Sequence, residues 1–128
     1  MKWSLRRKET GRTGEQIAAR YLHRNGFRLL AQNYRCEVGE IDLIAEDRGT
    51  VVFVEVKTRR TLIAGTPEEA VDRDKRRRIR RAAQWYLKAW QRWPQKVRFD
   101  VVGVELDDAD HVTAIRHTPS AFGDEEEK

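Results

Sequence analysis

Apolar and polar residues alternate most regularly in the second quarter of the chain. Residues 41–45 read I-D-L-I-A and residues 51–57 read V-V-F-V-E-V-K, two runs rich in β-branched side chains. The Asp-Arg-Gly-Thr sequence between them is typical of a turn. The pattern predicts a β-hairpin with Arg48-Gly49 as its loop, which places Leu43 opposite Val54.

This register divides the hairpin into two faces, and we expect the apolar face to pack on the core. Its opposing pairs are Ile41 with Val56, Leu43 with Val54, and Ala45 with Val52. The other face places Asp42 opposite Glu55 at the open end of the hairpin, with Lys57 two residues along the same strand. Because directly opposed like charges are destabilising, the two carboxylates indicate a site for a hard divalent cation such as Mg²⁺ or Mn²⁺.

A solvated strand face is the simpler interpretation of these charges. An E-x-K pattern in one strand is by itself weak evidence for a site. The matching position of Asp42 on the partner strand favours a functional site, because paired carboxylates there have no evident structural purpose.

Helical signals occur on both sides of the hairpin. Thr13-Gly-Glu-Gln16 is a capping box and Asn25-Gly26 is a stop signal, so we expect a first helix between them. Glu15 lies at the edge of the apolar stripe of this helix, where its simplest role is a favourable charge near a helix N-terminus. A second capping box, Thr66-Pro-Glu-Glu69, predicts a helix that ends before Pro94.

The remaining periodic segments, 27–34, 97–106 and 111–117, are predicted strands. The order of elements is therefore helix, three strands, helix, and one or two strands. This order predicts an α/β fold in which a mixed central sheet is flanked by helices.

The composition is that of one soluble domain. Of 128 residues, 39% are hydrophobic and 37% are charged, which suffices for one core beneath a charged surface. No apolar run approaches the roughly 20 residues of a membrane span, and the N-terminus lacks a signal-peptide pattern, so we expect a cytoplasmic protein. We assign residues 1–12 to a flexible basic arm, 13–119 to a single domain, and 120–128 to a disordered acidic tail.

Charge is distributed unevenly along the chain. Residues 1–35 hold nine Lys or Arg against two acids, residues 67–98 hold eleven against four, and residues 99–128 hold two against nine. Seven of the cations fall within nine residues of the second predicted helix. They are Arg73, Lys75, Arg76, Arg77, Arg78, Arg80 and Arg81. A basic surface of this kind is expected to bind a polyanion, most commonly nucleic acid. A solvated helix face explains about half of these cations equally well, because one helix cannot turn seven side chains to the same side.

Other reactive side chains form no recognisable site. Cys36 is the single cysteine, so no intrachain disulfide can form, and no activating base for its thiol is evident. The three histidines, His23, His111 and His117, lack metal-binding spacing. We assign none of these four residues a function.

Five separated motifs occur in the order found in a known protein family. They are Glu15, GEIDLIA at 39–45, VFVEVKTR at 52–59, V-x-x-x-K-x-x-R-x-x-x-A-A-x-x-Y-L at 71–87, and RFDVV at 98–102. Together they resemble the YraN-like family of bacterial proteins over residues 14 to 117. That family is similar to the restriction-endonuclease-like PD-(D/E)xK nucleases, and especially to archaeal Holliday-junction resolvases.

The resemblance implies an αβββαβ core and a nuclease-like domain over residues 13–119. It implies that Asp42 and Glu55 bind one or two Mg²⁺ or Mn²⁺ ions, with the Val56 carbonyl oxygen as a further ligand. Ile41 stands where the superfamily motif has proline, and this departure removes no ligand.

The resemblance also gives roles to two neighbouring charged residues. Lys57 corresponds to the lysine of the E-x-K element and would position the attacking water. Glu15 corresponds to the helix-borne acid of the resolvase-like members and would orient a metal-bound water or bind a second ion. The implied activity is endonucleolytic hydrolysis of DNA, including branched recombination or repair intermediates, by a protein that works as a homodimer. Arg59 and the cations of the second helix would bind the nucleic-acid backbone.

Two other classes of function are compatible with the sequence. The protein could bind nucleic acid without cutting it and keep the metal site for positioning. It could instead be an accessory domain that docks on a partner protein through its acidic C-terminal end and Trp85, Trp90 and Trp93, although helical tryptophans more often pack within a protein. The sequence does not distinguish DNA from RNA.

Overall fold

Two helices and five strands follow one another in the order αβββαββ. The computed structural model describes residues 2–60, 73–90 and 96–123, and for residues 2–12 it describes the backbone only. Helix α1 spans Lys2–Arg24 and helix α2 spans Arg73–Trp90. The strands are β1 Arg28–Cys36, β2 Gly39–Asp47, β3 Thr50–Arg59, β4 Lys96–Leu106 and β5 Val112–Phe122.

The five strands form one mixed sheet in the order β1-β2-β3-β4-β5. Strands β3 and β4 run parallel, and the other three neighbouring pairs are antiparallel. A parallel pair requires a long crossover connection, and α2 lies within the segment that joins β3 to β4. The predicted α/β fold with a mixed sheet and an αβββαβ core is confirmed.

The first helix is longer than predicted. It begins at Lys2 and not at Thr13, so the capping box at Thr13 does not start it and the proposed basic arm is helical from its second residue. Most residues of the arm are Lys, Arg, Leu or Glu, which are strong helix formers. One glycine, Gly11, costs about 1 kcal/mol in a helix interior, which is too little to stop such a segment. The second capping box, Thr66 to Glu69, lies outside the described residues.

The last strand is also longer than predicted and continues from residue 117 to Phe122. The disordered tail therefore does not begin at residue 120. Phe122 is only 8% exposed and stacks on Phe99, with 5.1 Å between the ring centroids. Burial of this ring explains why the strand extends to it. Residues 124–128, the acidic part of the predicted tail, lie outside the described chain.

The hairpin register is confirmed from the turn as far as Leu43, which pairs with Val54. Arg48 and Gly49 form the loop with φ values of 52° and 86°, the left-handed conformation that a tight two-residue hairpin requires. Beyond Leu43 the regular pairing of β2 with β3 ends, and the strands separate at Asp42.

Both faces of the sheet are buried. On one side α1 covers a core that includes Leu22, Leu43 and Val54, as the apolar face of the hairpin predicts. On the other side α2 covers a second core that includes Phe53 and Ile79. The prediction for Ile41 is wrong, because this side chain belongs to the α2 side. The alternation of side chains along β2 is interrupted where β2 leaves β3, so Ile41 and Leu43 face opposite cores.

Within the described residues, no helix combines the length and apolar character that a membrane span needs.

Candidate active site

Two carboxyl groups lie close together at the open end of the hairpin, where β2 and β3 separate. The backbone N–H of Val56 donates a 2.8 Å hydrogen bond to Asp42 Oδ2, so this carboxylate takes the place of a carbonyl in the strand ladder. Glu55, which is 7% exposed, lies beside the Asp42 carboxyl group and is affected by it. The opposed pair predicted from the register therefore comes together at this end of the hairpin.

The contact between Asp42 and Glu55 strongly perturbs the ionisation of Glu55. Burial, and then the hydrogen bond and charge of Asp42, raise the pKa of Glu55 from 4.5 to about 8. Two ionised carboxylates cannot share a hydrogen bond, so at neutral pH the pair holds a proton or recruits a cation. Positive charge near the two carboxyl groups therefore stabilises the site.

Two lysines from different elements supply positive charge to the carboxyl pair. Lys75, near the start of α2, places Nζ 3.2 Å from Glu55 Oε2, and it also lies beside Lys57 of β3. Burial, and then the neighbouring Lys75, lower the pKa of Lys57. Although burial opposes its charge, the bonds to Lys57 and Glu55 raise the pKa of Lys75.

Helix α1 adds a third acid to the same end of the sheet. Glu15 is half-buried, and its pKa is raised first by burial and next by the charge of Asp42. The nearby side chain of Asn33 of β1 offsets part of this rise in the pKa. The neighbouring Gly14 allows α1 to approach β3 closely, because a Cβ at this position would lie 1.8 Å from Thr58 Oγ1. The inward direction of Glu15, which helix capping does not explain, follows from this close packing.

The carboxylate pair has the donor chemistry that a hard divalent ion such as Mg²⁺ prefers. Within the described ranges, no group of three or more His, Cys, Asp or Glu side chains has a geometry that could hold a metal ion, so Glu15 is not drawn into such a group with Asp42 and Glu55. Mg²⁺ is commonly held by one or two carboxylates together with substrate phosphates. Asp42 and Glu55 supply that donor set. Metal ligation by the Val56 carbonyl stays a prediction.

The cations of α2 do not form one surface. Arg80 is only 6% exposed, so its assignment to a nucleic-acid-binding surface is wrong; it lies on the packed side of the helix beside Ile79. Lys75 lies in the carboxylate site. The guanidinium of Arg76 lies over the ring of Phe122, 5.7 Å from its centroid. The exposed members are Arg73, Arg77, Arg78 and Arg81. Arg59, at the end of β3, is half-buried.

The model of a family described as "Uncharacterised protein family UPF0102" matches residues 14–104. The chain belongs to the UPF0102 family. This finding confirms the resemblance to the YraN-like family and covers all of the strands that build the site.

Several UPF0102 relatives are similar to this chain over most of their length. A UPF0102 protein of Desulfosudis oleivorans is 50% identical over 99 residues, which cover 77% of this chain and 80% of the relative. A UPF0102 protein of Syntrophotalea carbinolica is 45% identical over 121 residues, or 93% of this chain and 95% of the relative. A UPF0102 protein of Nocardia farcinica is 50% identical over 113 residues, or 88% of this chain and 87% of the relative.

Sequence patterns alone miss two residues of the site in this UPF0102 protein. Lys75 is the lysine of the motif at 71–87, but it lies among seven cations in nine residues, and no sequence pattern shows that it is the one that reaches Glu55. Asn33 adopts a left-handed φ of 51°, and an asparagine in a strand-like segment is a weak signal for such a position. Of the tryptophans proposed for docking, Trp85 is 44% exposed, Trp90 stacks on Tyr86, and Trp93 lies outside the described residues.

A second buried polar cluster lies under α1. Asp100 of β4 is fully buried and accepts two hydrogen bonds from Arg98, at 2.9 and 3.0 Å, and one from the backbone of Ser120. His117 Nε2 lies 2.7 Å from Asp100 Oδ2, and its Nδ1 lies 3.2 Å from the hydroxyl of Tyr21. Although burial opposes ionisation, the bonds from His117 and Arg98 lower the pKa of Asp100. The cluster joins α1 to β4 and β5.

Proposed function

We propose that this UPF0102 protein is a metal-dependent nuclease that hydrolyses phosphodiester bonds. The observation that supports the proposal most is the buried contact between Asp42 and Glu55, with the amine of Lys57 beside it. Buried carboxylates in contact cost free energy unless a cation or proton accompanies them. Two carboxylates kept together at the end of a hairpin therefore favour a metal-binding role over a role in stabilising the fold.

Asp42 and Glu55 would hold Mg²⁺ or Mn²⁺. When bound, such an ion supplies charge neutralisation at the phosphate and a more acidic coordinated water. Lys57 stands next to the pair with a lowered pKa, so its amine can accept a proton from an attacking water and, once protonated, stabilise negative charge on the phosphate. Glu15, whose pKa is raised, can orient that water by a hydrogen bond.

The substrate class in this proposal is nucleic acid, and DNA in particular. The exposed cations of α2 start close to the site, because Lys75 touches Glu55 and Arg77 and Arg78 follow it on the same helix. Such residues contact backbone phosphates and contribute affinity without sequence preference. The similarity of the motifs to PD-(D/E)xK nucleases and archaeal junction resolvases favours branched recombination or repair intermediates.

The test is cleavage of a labelled panel by purified protein. The panel contains a four-way junction, a flap, a nicked duplex, single-stranded DNA and RNA, each in Mg²⁺ and in Mn²⁺. Glu55→Gln preserves the shape of the side chain and removes its charge, and Glu37→Gln makes the same change at an exposed residue of the β1 to β2 turn. Cleavage that is lost in Glu55→Gln and kept in Glu37→Gln would support the proposal.

A non-catalytic nucleic-acid-binding protein is the second candidate. The observation that favours it is the ammonium of Lys75 against Glu55, which already satisfies the carboxylates without a metal ion. Binding of one or more panel members with no cleavage in either metal would establish this alternative and refute the nuclease.

A further inference from the structure

Lys75 lies where a bound cation would be expected. Its Nζ is 3.2 Å from Glu55 Oε2, while Glu55 in turn contacts Asp42. The Glu55 side chain is 7% exposed, and the Lys75 side chain is 33% exposed. The carboxylate end of this ion pair is therefore fixed within the sheet, and the ammonium end reaches it from the helix side and from solvent.

This ion pair connects the proposed metal site to a different element of the fold. Asp42, Glu55 and Lys57 all belong to the hairpin, whereas Lys75 belongs to α2, which packs on the sheet from one side. Lysine has a flexible stem of four carbons, so its ammonium can leave the pair without movement of the helix backbone. A divalent ion that binds both carboxylates would come within a few ångströms of that ammonium, and the two like charges would repel each other.

We propose that Lys75 is a built-in counter-ion that competes with the divalent metal for Asp42 and Glu55. In the metal-free protein, Lys75 stabilises the carboxylate pair. Metal binding requires its ammonium to move away toward solvent, where the backbone phosphate of a nucleic acid offers a replacement partner. Lys75 is thus a positioning residue that sets metal affinity, and this inference rests on the metal site of the proposed function.

The inference predicts that removal of the Lys75 charge tightens metal binding. Loss of the ammonium also allows Glu55 to hold a proton more firmly, which opposes the effect. A Coulomb interaction scales with charge, however, so a lost positive charge favours a divalent ion about twice as much as a proton. The net expectation for Lys75→Gln is an increase in Mn²⁺ affinity of about tenfold, less than a fixed buried charge would give, because solvent screens the partly exposed Lys75 ammonium.

The experiment is a titration of the full chain with Mn²⁺. Binding is measured by calorimetry and by the electron paramagnetic resonance signal of the free ion. Lys75→Gln and Lys75→Met remove the charge in two ways, so that one variant suffices if the other does not fold. Lys75→Arg keeps the charge and should bind Mn²⁺ within about threefold of the unmodified protein. Lys88→Gln is the matched control, because it removes the same charge from an exposed lysine at the far end of α2.

Tighter Mn²⁺ binding in Lys75→Gln or Lys75→Met, with no change in Lys75→Arg and Lys88→Gln, would support the inference. Equal affinities in all variants would overturn it, and so would the absence of Mn²⁺ binding in every protein. The titration contains no nucleic acid. A protein that shows the tightened binding and cleaves no substrate would therefore refute the nuclease and leave the counter-ion role intact.

Discussion

Replacement of Glu55 by glutamine should remove most of the pH dependence of stability of the metal-free protein between about pH 5 and about pH 7.5. The carboxyl group is buried against Asp42, which raises its pKa from 4.5 to about 8 in the folded state. A group whose pKa is higher in the folded state stabilises the fold while it is protonated. Its contribution is complete below about pH 4.5 and is lost as the pH rises through about 8.

The size of the effect follows from the shift in the pKa of Glu55. Each pKa unit corresponds to about 1.4 kcal/mol. Titration of a carboxyl group with these two pKa values removes about 3 kcal/mol of unfolding free energy between about pH 5 and about pH 7.5. Glu15 also has a raised pKa and acts in the same direction, but it is present in both proteins and cancels in the comparison.

The assay is urea unfolding in the presence of a chelator at several pH values over this range. The unmodified protein should lose stability as the pH rises, and Glu55→Gln should give a markedly flatter profile. Glu37→Gln, which changes an exposed carboxyl group in the same way, should follow the unmodified protein. Parallel profiles for the unmodified protein and Glu55→Gln would refute the argument that Glu55 is protonated through contact with Asp42.

Three further changes test other parts of the structure. Gly14→Ala should lower the free energy of unfolding, measured in urea, by about 2–3 kcal/mol, since its Cβ would meet Thr58 Oγ1 at 1.8 Å. Thr58→Ala in the same chain should restore part of the loss, and no restoration would contradict the close packing. Asp100→Asn should lower the free energy of unfolding by about 3 kcal/mol, because it removes the charge that pairs with the half-buried guanidinium of Arg98. A change below about 0.5 kcal/mol would show that the cluster does not stabilise the fold. Arg77→Gln should weaken DNA binding and reduce the slope of log affinity against log salt concentration by about one. Arg80→Gln should leave that slope unchanged, because the Arg80 side chain is buried. Equal slopes for the two variants would contradict the assignment of Arg80 to the interior.

The hairpin could be predicted in detail because its signals are local. The Arg48-Gly49 turn and the alternation of apolar residues are sufficient to set the register from the turn to Leu43. The break at Asp42 could not be predicted from alternation, because it arises when a side-chain carboxylate replaces a backbone acceptor. For this reason, alternation along the strand predicts the wrong face for Ile41.

The ends of elements depended on contacts that the sequence does not reveal. A capping box at Thr13 is a real local signal, but the strong helix formers that precede it carry the helix through. Phe122 lies next to an acidic run that favours disorder, and its ring is nevertheless buried against Phe99. Helix propensity therefore sets the start of α1, whereas tertiary packing sets the end of β5.

The hairpin residues of the candidate site could be predicted, and the contact from Lys75 could not. Asp42, Glu55 and Lys57 lie on one hairpin, where period-two spacing relates them directly. Lys75 reaches the same point from a helix on the crossover between β3 and β4, and although the motif at 71–87 includes this lysine, only the packing of α2 on the sheet shows that it contacts Glu55. The same packing buries Arg80, which sequence spacing cannot separate from its exposed neighbours.

The most direct test of the proposed nuclease is single-turnover cleavage by Lys57→Ala, with protein in excess over the labelled substrate that the panel identifies. We expect a rate at saturation at least about 100-fold lower than that of the unmodified protein, with a dissociation constant within about threefold, because Lys57 acts on the reacting groups and not on binding. Lys88→Ala, the same change at an exposed lysine, should cleave at the unmodified rate. Cleavage by Lys57→Ala at the rate of the unmodified protein would contradict the proposed nuclease mechanism.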